Sequence, residues 1–269
     1  MTLRQPKELK EITVLSLGAG VQSTTILLRS LKQESGFPHL DAAIFADTGY
    51  EPKSVYEHLA RLQTVCEESG LPLYVVKRES PWAEWKNQIP VYCAGTGRSV
   101  SMTGRQCTKD YKIQPIRAKV RELLGTEPAK WVPRGYVANQ VIGISADEAH
   151  RMRVPPEFWL RHVYPLVDLG LTRQDCLDWL AANWPYRVSR SSCWCCSFRG
   201  SAEWADLKTV DREDWRRAVE FDKELRRDWP SGMLAEPYLH QLLKPLDEVD
   251  LSVYSCGLFS NECLGMCGD

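Results

Sequence analysis

The junction at residues 12–31 constrains this chain more than any other feature. Ile12 to Leu17 is a short apolar run with β-branched residues, Gly18-Ala19-Gly20 follows at once, and Ser23 to Leu31 then carries apolar residues at helical spacing. The order is strand, tight loop, helix. A second cycle repeats it: Ala42 to Ala46 reads as a strand, Asp47-Thr48-Gly49-Tyr50 as a loop, and Pro52 to Ser69 as a helix with Pro near its start. Leu73 to Val76 is a third strand. Strands alternating with helices of this length pair in parallel through right-handed crossovers, so the expected fold class is α/β, a doubly wound parallel sheet.

Ligands of such sheets bind at the carboxyl ends of the strands. Gly18 to Ser23 and Asp47 to Glu51 both fall there and are expected to share one crevice. Val141 to Ile144 is a further strand candidate, which brings Ser145-Ala146-Asp147-Glu148 to the same rim. Between Glu79 and Gly104 the chain is rich in Pro, Gly and Ser and reads as an irregular functional loop or lid. Beyond Leu171 helices are expected at Thr172 to Asn183 and Asp211 to Asp228, separated by a cysteine-rich connector. The expected division is a nucleotide-binding α/β core over 1–170 and a helical, cysteine-rich C-terminal region over 171–269 packed on it.

Composition narrows the class. With 43% hydrophobic and 26% charged residues in 269, the chain is neither disordered nor fibrous. Thirty-four Lys and Arg against thirty-five Asp and Glu leave a net charge of −1, so a nucleic-acid partner requires a local basic surface. One candidate runs from Arg98 to Arg121, where Arg98, Arg105, Lys109, Lys112, Arg117, Lys119 and Arg121 face a single acid, Asp110. Arg187, Arg190 and Arg199, interleaved with Tyr186, Trp194 and Phe198, form another. The plainer reading of both is a solvated helix face and core aromatics. No stretch approaches the ~20 apolar residues that span a bilayer, and Met1 to Lys10 is polar, so a soluble cytoplasmic protein without a membrane partner is expected. Ten cysteines, about 4% of the chain, fall short of the ~8–10% of a disulfide scaffold and point to metal or thiol chemistry. Cys66 and Cys176 lie within helix patterns and read as packing residues.

Glycines directly after a strand let backbone N–H groups approach an anion, and the helix N-terminus that follows adds a favourable dipole. Gly18 to Ser23 is a phosphate cradle by this construction, although it has neither the Lys of a P-loop nor the third Gly of a dinucleotide fingerprint. Ser23 and Thr24 bring hydroxyls, and Asp47 a carboxylate for Mg²⁺ or a ribose; a simple strand-to-helix turn and a turn aspartate are the structural alternatives.

Here the chain resembles the ATP pyrophosphatase (PP-loop, adenine nucleotide alpha hydrolase) superfamily and, within it, the phosphoadenosine phosphosulfate reductase-like branch. Gly18-Ala19-Gly20-Val21-Gln22-Ser23 lies over the family's Ser-Gly-Gly-x-Asp-Ser, and Asp47-Thr48-Gly49 over its Asp-Thr-Gly. Cys107 with Lys112-Ile113-Gln114-Pro115 resembles its Cys-plus-Lys-x-x-Pro element, and Gly143 to Arg151 its Gly-Ile-Arg-x-Asp-Glu-x-x-Arg element. Gln22 stands where the family has Asp, and Gly18 where it has Ser. The resemblance implies nucleotide contacts from Ser16, Gly18, Ala19, Gly20, Val21, Gln22, Ser23, Thr24, Asp47 and Gly143, catalytic roles for Asp47, Lys112, Asp147 and Arg151, and ATP with Mg²⁺ as ligands.

Cys193-Trp194-Cys195-Cys196 is the densest chemical feature, and Cys-x-x-Cys presents two thiolates to one zinc or iron–sulfur centre. By the resemblance Cys107, Cys193 and Cys196 would ligate a [4Fe–4S] cluster. Thr108 follows Cys107 where the assimilatory reductases have a second cysteine, so the fourth ligand falls to Cys195, Cys256, Cys263 or Cys267, and Cys263 is taken for it. An unligated fourth iron would instead hold a sulfide for transfer. The rivals are a zinc site from Cys193, Cys196, Cys263 and Cys267, and redox thiols. The implied function is ATP-dependent sulfur transfer to DNA or tRNA, similar to the ATP pyrophosphatase component of DNA phosphorothioation systems and to tRNA thiolases, with a cysteine desulfurase as sulfur donor and a homodimer as one candidate assembly. The alternatives are a sulfonucleotide (APS/PAPS) reductase with Cys263 as nucleophile, and a zinc-stabilised nucleic-acid-binding module.

Overall fold

A computed structural model describes residues 10–80, 82–95, 99–128, 130–228 and 235–252. Arg98, Cys256, Cys263 and Cys267, expected above to carry charge or ligate metal, lie outside the described residues.

Five strands build the central sheet. β1 (Lys10–Leu17) leads into α1 (Val21–Leu31), β2 (Ala42–Asp47) into α2 (Lys53–Glu68), and β3 (Leu73–Lys77) closes the first half. The segment read as irregular holds a short helix, α3 (Trp82–Lys86), and a hairpin of β4 (Tyr92–Ala94) and β5 (Val100–Met102). Trp85, Ile89 and Val91 are buried there, so this stretch is a packed element; its apolar residues are too few per turn to show a period. A π-helical turn, Lys109–Ile113, runs straight into α4 (Gln114–Leu123), which carries Pro115 in its first turn. Then come β6 (Tyr136–Ile142), a 3₁₀ turn at Ala146–Arg151, β7 (Leu160–Val163), and α5 (Pro165–Asp168). β6 starts five residues before the expected strand and ends before Gly143, and β7 was not expected.

All sheet pairings are parallel, in the order β3-β2-β1-β6-β7. The chain thus works outward from β1 in one direction and returns to its other side with β6. This is the doubly wound α/β sheet, and its switch point lies between β1 and β6.

α6 (Arg173–Asn183) packs against α1, and Cys66 and Cys176 are both fully buried in that layer. α7 (Ser201–Val210), absent from the sequence reading, and α8 (Arg212–Arg227) follow the cysteine run. The start of α8 caps the start of α2: Asp211 accepts from the Ser54 amide (3.0 Å) and hydroxyl (2.6 Å), and Asp214 from the Lys53 amide (2.8 Å). Pro52, the N-cap residue of α2, has no capping side chain of its own, so acids more than 150 residues away satisfy its first amides. The fully buried Asp222 holds the returning chain by accepting from the Leu239 (2.9 Å) and Leu246 (2.8 Å) amides. A core of Trp85, Tyr111, Trp194, Trp204 and Phe221 joins the middle of the chain to its C-terminal helices. No helix among the described residues is long and apolar enough to cross a membrane.

Candidate functional site

The loop after β1 sits at the switch point. Gly20 is the N-cap of α1 and brings no side chain to the first-turn amides, as a helix end that receives an anion requires. Ala19 holds φ at +56°, a left-handed backbone that glycine adopts more easily. The Ser23 hydroxyl is tied back within the loop, accepting from the Gly18 amide (3.2 Å) and reaching the Gly20 carbonyl (3.3 Å). Thr24 is turned inward onto His58, with Oγ1 3.0 Å from Nε2. Burial drags that imidazole down to about 4, with the Arg61 charge adding to the effect. Both hydroxyls expected to meet a phosphate therefore brace the loop instead. Ser16 lies buried beneath the loop at the end of β1.

The loop after β6 backs directly onto this cradle. A Cβ at Gly143 would lie 2.8 Å from the Ser23 amide nitrogen and 3.1 Å from its Cα, so only glycine allows the two loops to meet. Gln22 is fully buried in the seam. Its Oε1 accepts from Arg173 Nη1 (2.7 Å), and its Nε2 donates to Glu148 Oε2 (3.0 Å) and Ser145 Oγ (3.4 Å). An amide suits this position because it can accept from a guanidinium and donate to a carboxylate at once. Arg151 pairs with the other oxygen of Glu148 (2.5 Å), and Asp147 accepts from the Arg173 amide (3.0 Å) at the start of α6. Asp147 and Arg151 are thus placed to brace the seam behind the loop.

Asp47 closes β2 with a turn: its Oδ1 accepts from the Gly49 amide (2.7 Å) and the Tyr56 hydroxyl (2.7 Å). Burial and this carboxylate raise the Tyr56 phenol well above its ordinary value, so it stays a donor. Four residues on, Glu51 has a fully buried side chain. Its Oε1 faces Lys112 Nζ at 3.2 Å, Thr48 Oγ1 at 3.3 Å and Cys193 Sγ at 3.8 Å. Sequence reasoning passed over Glu51, Thr48 and Arg173. The signals for the first two were their place within the Asp47 to Glu51 loop and, for Thr48, the Asp-Thr-Gly resemblance; neither gave them a role.

Through Glu51 the loop after β2 meets the cysteines. Cys107, Cys193 and Cys196 line one cavity together with Thr48, Arg105 and Lys112, and its empty space, including the open mouth, is about 390 Å³. Three of the expected metal ligands are therefore brought together from two distant stretches of chain. Cys195 is fully buried, and burial pushes its thiol up; Cys193 is pushed up as well, by burial first and then by Glu51. Cys193 also lies 3.3 Å from Thr48 Oγ1. Among the described residues, no three His, Cys, Asp or Glu are grouped as closely as a single metal ion requires. The donor set does suit a cluster in kind, since it offers three soft sulfurs to one cavity and a cluster's ligands sit on separate irons.

Of the arginines around the cysteine run, Arg190 and Arg199 are buried and add nothing to the basic surface expected there. Arg199 is buried and donates to the Ser192 (2.6 Å) and Cys193 (3.2 Å) carbonyls, pinning the cysteine turn from behind. Arg190 forms a buried ion pair with Glu203, whose other oxygen accepts from the Gly200 amide at the start of α7 (2.6 Å). Arg187 pairs with Asp206, and Trp194 is core. At the cavity itself the basic and aromatic pair is Arg105 over Phe198, 4.7 Å from guanidinium to ring centre. In the 98–121 run, Arg117 pairs with Glu157 and Lys119 with Glu122, both at 2.7 Å.

No protein-family model matches the chain, and no curated protein does. Among solved structures it is similar to phosphoadenylyl-sulfate (PAPS) reductase from Candida auris in its phosphate complex, at 14% identity and a TM-score of 0.40, over 69% of this chain and 77% of that one. It is also similar to the U34-tRNA thiolase NcsA from Methanococcus maripaludis with its [4Fe-4S] cluster, at 14% identity and a TM-score of 0.38, over 98% of this chain and 82% of that one.

Proposed function

We propose that the chain is an ATP-dependent sulfur-transfer enzyme that activates an oxygen of a nucleic-acid target, DNA or tRNA, by adenylylation. One observation carries the reading: Cys107, Cys193 and Cys196 line a cavity whose wall includes Thr48 and Lys112, next to the end of β2, a strand that pairs with β1 and its glycine loop. The backbone of Gly18 to Gln22 and the α1 N-terminus receive the phosphate chain, and Asp47 offers a carboxylate for Mg²⁺ or the ribose. Lys112 keeps a cation in the wall between the two halves of the site, held there by Glu51. Asp147, Arg151, Arg173 and Glu148 keep Gln22, and with it the loop, in place.

In the reaction the target oxygen attacks the α-phosphorus of ATP and pyrophosphate leaves. A cysteine desulfurase supplies the sulfur as a persulfide, a thiol reductant releases it as sulfide while being oxidised to its disulfide, and the sulfide displaces AMP. A [4Fe–4S] cluster on Cys107, Cys193 and Cys196, when bound, supplies a binding place for that sulfide. Arg105 and Phe198 offer the target a charge and a stacking face at the cavity mouth.

The test is an anaerobic assay with ATP, a desulfurase, cysteine, a thiol reductant and either DNA or tRNA, following pyrophosphate, AMP and labelled sulfur in the nucleic acid. Cys196→Ser is expected to abolish sulfur incorporation while ATP binding persists. Undiminished incorporation in that variant overturns the sulfur path. Tight binding of adenylyl sulfate with little binding of ATP moves the reading to a sulfonucleotide reductase.

A further inference from the structure

We propose that a groove along α4 is the binding track for the nucleic-acid target, and that the segment it takes is an unpaired loop of RNA. The inference rests on the reading above that the target is a nucleic acid, and it deepens that reading by choosing RNA over DNA and giving it a place on the surface.

Two open concavities lie along α4 and share Arg121. The first, about 1100 Å³ including its open mouth, runs between the edge strand β3 and α4, with Val75, Lys77, Pro115, Lys119 and Arg121 in its walls. It begins at the rim of the sheet: a Cβ at Gly49 would meet Lys77 Cε at 3.4 Å, so this lysine lies against the Asp47-Thr48-Gly49 turn. Pro115 stands three residues beyond Lys112, which lines the cysteine cavity. The second concavity, about 730 Å³, is lined by Arg117, Arg121, Lys130, Trp131, Glu157 and Trp159. α4 thus leads from the candidate site to Trp131, and its ten residues span about 15 Å, the length of a few stacked nucleotides.

Charge along this path suits a phosphate backbone. Its walls carry Lys77, Arg117, Lys119, Arg121 and Lys130 against Glu122 and Glu157. Four of these cations have an acid partner: Lys77 has Glu79 at 3.6 Å, and Lys119, Lys130 and Arg117 have Glu122, Glu127 and Glu157, each at 2.7 Å. The side chains of Glu79, Glu122 and Glu127 are exposed, and surface pairs of this kind are weak enough for a phosphate to take the place of the acid. Arg121 makes no ion pair among the described residues; its guanidinium donates to the carbonyl of Lys130, the residue before Trp131.

Trp131 decides the class of occupant. Its side chain is left in water, at 90% exposure, beside two arginines and a lysine. An indole so placed is a stacking face for a base whose phosphates the cations hold. A duplex keeps its bases stacked on one another, and extruding one is costly. The loops of folded RNA present splayed bases without that cost, and aromatic side chains are what such bases stack on.

The experiment measures binding of the full chain to a fluorescently labelled RNA hairpin with a single-stranded loop, by anisotropy at several salt concentrations. Fully paired RNA and single-stranded DNA of the loop sequence are compared with it. The hairpin is expected to bind best. Trp131→Ala should weaken its binding about 5- to 150-fold, and Trp131→Phe should keep most of the affinity. Arg121→Ala and Lys119→Ala should each lower the slope of log affinity against log salt by about 0.7. Unchanged hairpin affinity in both Trp131→Ala and Arg121→Ala overturns the track; sulfur incorporation by the wild type then leaves the proposed function standing, with its target bound elsewhere. Tighter binding of single-stranded DNA or of paired RNA than of the hairpin overturns the RNA loop as occupant. A wild type that binds none of the three overturns the inference, and the sulfur assay decides separately on the proposed function. Because Trp131 is exposed, its variants report contact and not folding, which matching denaturant unfolding curves check.

Discussion

The loop crevice at the switch point and the cysteine cavity lie on the same rim but are built on opposite plans. In the crevice the buried side chains Gln22, Ser23 and Thr24 bond to protein groups and hold the loop itself in place. In the cavity, side chains face the open space, and a carboxylate oxygen beside them is buried without a partner. A backbone turn tolerates changes of side chain as long as the chain path is kept. A side-chain site has no such latitude, since each sulfur and charge is itself the contact.

The comparison breaks most readily where a buried charge underlies the cysteine turn. Glu203→Ala removes the carboxylate facing the buried Arg190 and uncaps α7. A loss of about 3–5 kcal/mol is expected on denaturant unfolding, with the cavity thiols becoming reactive to a thiol reagent before global unfolding. Unchanged thiol protection would show that the cavity does not depend on this pair.

The next effect belongs to the brace under the crevice. His58 is held neutral down to about 4 in the fold against an ordinary 6.5. The unfolded chain therefore binds the extra proton first, and stability present above pH 6.5 is lost as pH falls towards 4, by about 3 kcal/mol for this group. Burial lowers His162 and His240 in the same direction, so the wild type carries their contributions too. His58→Gln should flatten the stability profile between pH 4 and 6.5; an unchanged slope would remove His58 from the account.

Gly143→Ala sharpens the contrast further. Its Cβ meets backbone of Ser23 and Gln22, which cannot rotate away, so a cost of about 1–3 kcal/mol is expected, together with weaker ATP binding and unaltered iron and sulfide content. Ala19→Gly is the smallest test. Relief of the left-handed backbone, about 1 kcal/mol, is offset by the greater freedom of the unfolded chain, about 0.4–1 kcal/mol. Thermal unfolding should change little, and a large loss would mean that the Ala19 methyl, fully buried, is chiefly a packing group.

Much of the frame was legible in the residues. α1, α2, α6 and α8 fall within two residues of their expected ends, since their apolar spacing and their Pro, Thr and Asp start signals act locally. β7 and the β4–β5 hairpin were missed because three or four residues are too short for a period to show, and α7 because its start rests on a glycine capped by Glu203. Arg190 and Arg199 were read as surface charge. Their partners, Glu203 and the Ser192 and Cys193 carbonyls, become visible only when the chain folds back.

By itself the sequence determined the α/β alternation, the glycine loop at the end of β1 and the pairing of two cysteines in one turn, because each depends on neighbours within a few residues. Tertiary structure alone decided that Cys107 lines the same cavity as Cys193 and Cys196, that Gln22 is locked by Arg173, and that Glu51 stands between the lysine and the thiol. Those contacts join residues that only the sheet order brings together. The charge state and the partner of a buried group depend on that proximity, which no local pattern encodes.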